Sequence, residues 1–334
     1  MRKRRKRSLI SLVCVTMVFI LTMTGCKKRE AAILPEVDIS GMIVVTPISA
    51  LAGLAVISAG SPILIEKGIC WSASPSPTIE ENKATPNGYP YFVVMIDGLV
   101  PLTKYYARAY AISEAGISYG DELSFVTPED LSGEQGTVTD KDGNIYSTIG
   151  IGSQIWMAEN LKTTRFNDST SIPEVSDNMA WSNFLVTPAY CWYNNDEASG
   201  RNIYGALYNW FTVGTGKLCP AGWHVPDNTE WTVLATYLGG SKVAGGKMKV
   251  IGIQFWRQPN TGATNSSGFS GLPAGSRGYT GEFLWRGEDL TLWTSSFYNS
   301  ESAAWYYNIN ASNIELSDGL TSLLNGFSVR CIRD

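Results

Sequence analysis

The sequence predicts two folded modules of different class behind an export leader: an all-β sandwich over residues 36–128 and an α+β module over residues 136–334. Three observations predict this. Short apolar runs separated by Gly, Pro and Ser fill the first segment, the pattern of antiparallel strands joined by turns. Helical periodicity, by contrast, occurs only in the second segment. Ten of the eleven tryptophans also lie beyond Gly133, so composition changes where the fold class changes.

Residues 1–25 read as a secretory signal, with a basic start from Arg2 to Arg7 and a nearly uncharged run from Leu9 to Met23. That run is shorter than the ~20 residues a permanent membrane helix needs. It ends in Met23-Thr24-Gly25-Cys26, which resembles the lipobox of bacterial lipoproteins, with Met23 standing where Leu is usual. The resemblance implies cleavage before Cys26, lipidation of its thiol and an outer-membrane lipoprotein of the cell envelope, periplasmic or outward facing. Anchoring by several acyl chains is stable because each buried CH₂ adds about 0.8 kcal/mol. An ordinary signal peptide or an uncleaved anchor is the alternative. Residues 26–35 then form a linker.

Without Arg2–Arg7 the mature chain keeps 20 basic against 30 acidic residues, a net charge of −10. Such a body repels phosphate backbones, so nucleic acid is not an expected partner. A single histidine, His224, argues against a His-based triad or a multi-histidine metal site. Four cysteines remain beyond Cys14 and Cys26, namely Cys70, Cys191, Cys219 and Cys331, with no CxxC pair among them. Their even number permits disulfides in an oxidising compartment.

In the first module the expected strands are 42–45, 54–58, 63–71, 91–96, 105–112 and 122–126. The stretch Leu99-Val-Pro101-Leu-Thr103-Lys-Tyr105-Tyr-Ala-Arg108-Ala109 resembles the fibronectin type III pattern, in which a Tyr such as Tyr105 bonds back to the preceding chain as a tyrosine corner. Strand alternation then points Ala107 and Ala109 inward and Tyr106, Arg108 and Tyr110 to the other face. Trp71 is the expected core aromatic, and Cys70 beside it reads as a small buried thiol. The module is expected to act as a spacer.

Residues 129–135 read as a polar linker. Beyond it, Tyr204, Leu207, Tyr208 and Phe211 recur at helical spacing, as do Trp231, Leu234, Ala235 and Leu238. The second helix has its start written out by Asp227 and Glu230 as a capping box, and its stop by Gly239-Gly240. Strands are expected at 136–145, 149–156, 293–296, 304–309 and 328–332. Four motifs occur in order: Ile149 to Leu161 with Trp156-Met-Ala-Glu159-Asn160, Cys219-Pro-Ala-Gly-Trp223-His224-Val-Pro226 with Glu230-Trp231, Asn265-Ser-Ser-Gly268-Phe269, and Gly326-Phe-Ser-Val-Arg330-Cys331. Together they resemble the Fibrobacter succinogenes major paralogous domain over nearly all of 136–334. That family is similar in fold to C-type lectins and to formylglycine-generating enzymes, which implies paired terminal strands and long loops crowding one face.

Candidate sites follow from this reading. Cys219 and Cys331 are a candidate disulfide, with Cys191 the competing partner; closing so long a loop is worth about 4 to 5 kcal/mol in the chain-entropy picture. Trp256, Asn260, Arg277, Tyr279, Trp285 and Arg286 fall in a loop-rich stretch where aromatics could stack on sugar faces while Asn and Arg take hydroxyls. Core packing is the commoner fate of such tryptophans. Gln258-Pro259-Asn260 resembles the calcium- and sugar-binding triplet of C-type lectins, but its accompanying Trp-Asn-Asp is missing, and no metal or cofactor is expected. Asp227 and Glu230 are explained by capping, and His224 by a structural hydrogen bond. Asp168-Ser169-Thr170 resembles a bacterial O-glycosylation acceptor. No catalytic constellation assembles. The sequence therefore points to a lipid-anchored binding or adhesion protein of the envelope, with glycans or envelope proteins as partners. A structural fibre subunit is the second expectation, and a glycan- or protein-modifying enzyme the third.

Overall fold

A computed structural model describes residues 32–61, 63–86, 92–182, 186–298 and 303–334. The expected leader, 1–25, and the expected lipidation site Cys26 lie outside these residues. Among the described residues no helix is long and apolar enough to cross a membrane.

Seven strands build the first module: β1 (Glu36–Val45), β2 (Ser49–Ser58), β3 (Leu64–Ser72), β4 (Asn82–Ala84), β5 (Val93–Asp97), β6 (Lys104–Ser113) and β7 (Gly116–Val126). They form two antiparallel sheets, ordered β1-β2-β5 and β4-β3-β6-β7, the three-on-four order of a fibronectin type III-like sandwich. The alternation along β6 explains why they face each other. Tyr105, Ala107, Ala109 and Ala111 turn inward against Leu54, Trp71, Val94 and Ile96, and the run of small alanines lets the opposite sheet approach closely. Tyr110 points to the other face, yet it is fully buried there. Its hydroxyl donates to Glu66 at 2.7 Å, and burial, with that carboxylate, pushes its pKa up.

Tyr105 makes the corner bond, its hydroxyl oxygen accepting the Val100 N–H at 3.1 Å. Removing the hydroxyl takes away that partner, and the N–H of the exposed Val100 is left to water. Tyr105→Phe is expected to lower stability by about 0.5 to 1.5 kcal/mol, read as a fall in the urea midpoint at unchanged slope.

The second module opens with β8 (Gln135–Thr139), β9 (Ile145–Ile151) and β10 (Gln154–Met157). The expected strand over 136–145 is interrupted because Asp140 Oδ1 accepts the amides of Asp142 and Asn144, both at 2.9 Å, and so closes a turn. The expected strand over 149–156 is a hairpin. Its turn residue Gly152 has φ +62°, and a Cβ there would press into the Tyr237 ring at 2.8 Å.

Next come α1 (Asn178–Ser182), β11 (Tyr190–Cys191), α2 (Glu197–Tyr204), β12 (Leu207–Tyr208), α3 (Trp210–Val213) and β13 (Trp223–His224). The single helix expected through Tyr204, Leu207, Tyr208 and Phe211 is thus the end of one helix, a two-residue strand paired with β11, and a second helix. Gly205, at φ +76°, breaks it where any Cβ would meet the Leu161 carbonyl at 2.7 Å. Tyr208 N–H donates to Phe327 O at 2.8 Å, and the Asn209 side chain caps α3 through the Thr212 N–H. Tertiary pairing overrides the local period here.

Beyond these lie α4 (Asn228–Tyr237), α5 (Ser241–Met248), β14 (Ser276–Arg277), β15 (Phe283–Leu284), β16 (Asp289–Tyr298), β17 (Ala303–Asn310), β18 (Leu316–Ser322) and β19 (Ile332–Arg333). Helix α4 starts with the capping box of Asp227 and Glu230, both halves formed. Five strands make the main sheet, β13-β19-β10-β9-β8, so the first and last strands of the module share one layer. A separate sheet is ordered β16-β17-β18. Among the described residues, the core of the sandwich runs from Val37 to Phe125 and that of the second module from Tyr146 to Ile332.

The segment between the modules is bonded into the second one. Leu131 and Gly133 donate backbone N–H groups to Gly152 and Gly150 at 2.8 and 3.0 Å, and Gly150 returns one to Glu134 at 2.7 Å. Ser132 Oγ donates to the Tyr237 hydroxyl at 2.6 Å. Helix α4 also packs on β1 and β2.

Candidate functional site

The six loop residues expected to form a sugar platform divide into two groups. Trp256, Asn260 and Arg277 are interior, which corrects the expectation for them. Trp256 donates its indole N–H to Gly271 O at 3.0 Å, and Asn260 gives its amide to Val250 O and Gly252 O at 3.0 and 2.6 Å. Arg277 is stacked over the rings of Trp181 and Phe283 at 4.4 and 4.8 Å. Its guanidinium donates to the carbonyls of Gly281, Val175 and Ser176 and to Asn178 Oδ1. A cation that is 0% exposed, with four of its five N–H donors so engaged, belongs to the interior and presents none to a ligand at the surface.

Tyr279 and Trp285 are exposed, by 57% and 55%. Trp285 sits at φ +64°, a conformation that costs a non-glycine residue of order 1 kcal/mol. The turn keeps it there, since its carbonyl accepts the N–H groups of both Glu288 and Asp289 at 2.9 Å. Arg286, half-buried, lies over Tyr204 at 4.4 Å and Tyr193 at 5.4 Å.

A cleft of about 330 Å³ opens nearby, walled by Ile203, Val250, Phe255 and Leu272, with Glu159 and Asn202 as polar members. Tyr204 connects cleft and rim, because it packs edge-on against Phe255 at 6.4 Å and beneath Arg286. The floor is Arg330, 1% exposed and stacked on Phe269 at 4.0 Å. It donates to Asn160 Oδ1 at 2.9 Å, to Ser270 O at 3.0 Å and to Phe269 O. Burial pulls its pKa down to about 9, against the raising influence of Glu159, and the group stays charged at neutral pH.

The wall carrying Val250 and Phe255 is held by a second buried cation. Lys249 Nζ donates to the carbonyls of Thr261, Asn310 and Asn313 at 2.8, 2.9 and 2.8 Å. Burial lowers its pKa to about 8. Neither the cleft residues nor Lys249 were singled out as site residues from sequence, since a lysine in a loop reads as solvated. The available signal was Arg330, a charge set between Val329 and Cys331 in an otherwise apolar run.

Residues 149–333, more than half of the chain, match the sequence model of the Fibrobacter succinogenes major domain. The protein belongs to that family. No curated protein matches the chain. Among solved structures, it is similar to the fibronectin type III domain of human fibronectin type III domain containing protein 3, at 14% identity over 32% of this chain and 94% of that one, with a TM-score of 0.22. It is likewise similar to the chicken CNTN1 FN1–FN3 domains, at 11% identity over 35% of this chain, and to the twitchin kinase region of C. elegans, at 11% over 60%, both with a TM-score of 0.22. The chain spans 41% and 34% of the length of those two. Scores so low carry no argument, and the sandwich topology stands on its own strand order.

Within the Fibrobacter succinogenes major domain the four sequence motifs meet. Asn160 comes from the first, Phe269 from the third and Arg330 from the fourth, while Cys331 is joined to Cys219 of the second across a separation of 112 residues. Cys191 and Cys70 are free and buried, and desolvation raises their thiols to about 12 and about 11, leaving little thiolate at neutral pH. Asp168 of the glycosylation-like triplet is an exposed carboxylate that accepts from Thr170 and pairs with Lys217.

His224 lies between two carboxylates, Nε2 at 2.8 Å from Glu230 Oε1 and Nδ1 at 2.7 Å from Asp334 Oδ1. Partial burial works to lower its pKa, but the bonds to Asp334 and Glu230 outweigh it and raise the group above 6.5. Since the folded value exceeds the unfolded one, this stabilisation is complete below pH 6.5 and fades as pH rises through the folded pKa. The side chain is 41% exposed, so the contribution is small, about 1 kcal/mol or less. Melting curves of the wild type and of His224→Gln are expected to differ more at pH 6 than at pH 8.5, and a gap independent of pH would contradict the ion-pair account.

Proposed function

We propose that the protein is a lipid-anchored binding or adhesion protein of the bacterial cell envelope, with the sandwich as stalk and the Fibrobacter succinogenes major domain as a lectin-like recognition head for glycans. The observation that carries the reading is Trp285, a large aromatic held outward by a left-handed backbone beside Arg286 and the cleft. Exposed aromatics stack on the apolar faces of sugar rings, and a neighbouring guanidinium supplies donors for hydroxyls. Tyr279 adds a second exposed ring. The lectin-like assignment is supported by the sheet shared between first and last strands and by the long loops that build the cleft between α5 and β16. Anchoring is supported by the leader and by the lipobox-like residues ending in Cys26.

A broad glycan array, probed with protein lacking the lipid, is expected to show binding to a subset of glycans. Trp285→Ala should weaken that binding at least ~10-fold without changing the melting temperature, as truncating a tryptophan that anchors a binding surface costs about 2 kcal/mol or more. A flat array removes the glycan reading.

The anchor has its own test. Cells fed radioactive palmitate should label the wild-type protein and not Cys26→Ala, which should also leave the envelope fraction; equal retention of both without label would end the lipoprotein reading.

A further inference from the structure

The sandwich has two poles, and among the described residues only one is covered. At the covered pole, where β1 ends and β2 begins, Ser49 Oγ reaches Thr236 O of α4 at 3.5 Å, and α4 packs on both strands. At the other pole Ile33, Leu34, Ile57, Ile63, Ile65 and Phe92 are all exposed, Ile63 by 86% and Ile65 by 66%. Strand direction brings them together: β2 ends there and β1 and β3 begin there, while β5 begins farther in, opposite Gly53, with the Phe92 ring beside Lys67 of β3. Ile33 bridges to Ser61 through paired backbone bonds of 2.8 Å, and Leu34 lies against the Gly116 turn at the same end. Single exposed apolar side chains are ordinary, but six at one end of a small module mark a contact surface.

The chain indicates what that surface meets. The described structure begins at this pole, with Ala32 just before Ile33. Cys26 is six residues earlier, and six residues reach at most about 20 Å. An acyl anchor on Cys26 would therefore hold this pole, and not the covered one, within about 20 Å of the bilayer. Lys67 stands at the patch edge with its ammonium 5.7 Å from the Phe92 ring, so its stem can lie along apolar surface while the charge meets a headgroup phosphate.

We propose that this pole docks on the bilayer surface, with Ile63, Ile65 and Phe92 at the headgroup boundary, so that the stalk is seated on the membrane and not only tethered to it. The proposal rests on the reading of Cys26 as the lipidation site. The net charge of −10 on the mature chain, together with Glu36 and Glu114 at this same pole, favours a zwitterionic over an anionic surface.

The lipid-free protein, residues 32–334, retains all the described core clusters and can be floated with vesicles of phosphatidylcholine and phosphatidylethanolamine. A bound fraction is expected that falls at least fivefold in the double variant Ile63→Ser/Ile65→Ser and is unchanged in Ile145→Ser, a 62% exposed isoleucine of the other module. Both sites are at the surface, so melting temperatures should stay within ~2 °C of the wild type. Flotation no better than that of the double variant overturns the proposal. So does a dimer in sedimentation that the double variant abolishes without any flotation, since the pole would then be covered by a second copy. Cys26 takes no part in this assay, and palmitate labelling in cells reads it separately, so a failed anchor and a failed docking surface give different results.

Discussion

A buried guanidinium organises the second module. Arg330 comes from the C-terminal segment, and its bonds reach Asn160 after β10 and the carbonyls of Phe269 and Ser270 in the loop before β14. Removing one partner from such a cluster leaves an uncompensated charge or several bare carbonyls, which costs several kcal/mol. The neighbouring Cys331 extends the same knot to Cys219 and thus to the turn before His224. Four stretches far apart in sequence are in this way fixed to one point. The cleft floor is that point, so a ligand there would meet groups that have no freedom to lose on binding.

The same solution recurs twice more. Lys249 and Arg277, like Arg330, are buried cations whose donors are consumed mainly by backbone carbonyls. A module with so much irregular chain buries many carbonyls that no ladder satisfies, and each needs a donor. Lysine supplies three and arginine five from one side chain. The long loops between α5 and β16 owe their shape to these cations as much as to apolar packing, and Trp256 and Asn260 serve the same interior purpose.

This explains what could be read in advance. The sandwich strands announce themselves because period-two alternation in Tyr105, Ala107 and Ala109 reports a two-sided surface, and α4 because Asp227 and Glu230 spell its cap. The pattern through Tyr204 and Phe211 misleads because a four-residue coincidence says nothing of the Leu161 carbonyl that fills the space beside Gly205. Arg277 looked like a ligand donor for a similar reason: residue type suggests exposure, and only the fold reveals the three carbonyls waiting for it. Trp285 and Tyr279, with no interior partner of that kind, remain at the surface.

The segment joining the modules determines how far these properties are linked. A free polar tether would let the second module turn independently of the sandwich, but Leu131, Gly133 and Glu134 exchange backbone bonds with the β9–β10 turn, and Ser132 holds Tyr237. Each such bond is worth about 0.5 to 1.5 kcal/mol net; together they make the segment part of the second module and leave only the residues before Leu131 to pivot, where turning would uncover the contact between α4 and the first two strands. Tyr237 belongs to α4, and Gly152 packs against its ring, so the helix that touches the sandwich is also the one that supports the hairpin of the main sheet. The orientation of the sandwich is thereby passed to the sheet, and through β10 and β19 to the knot around Arg330.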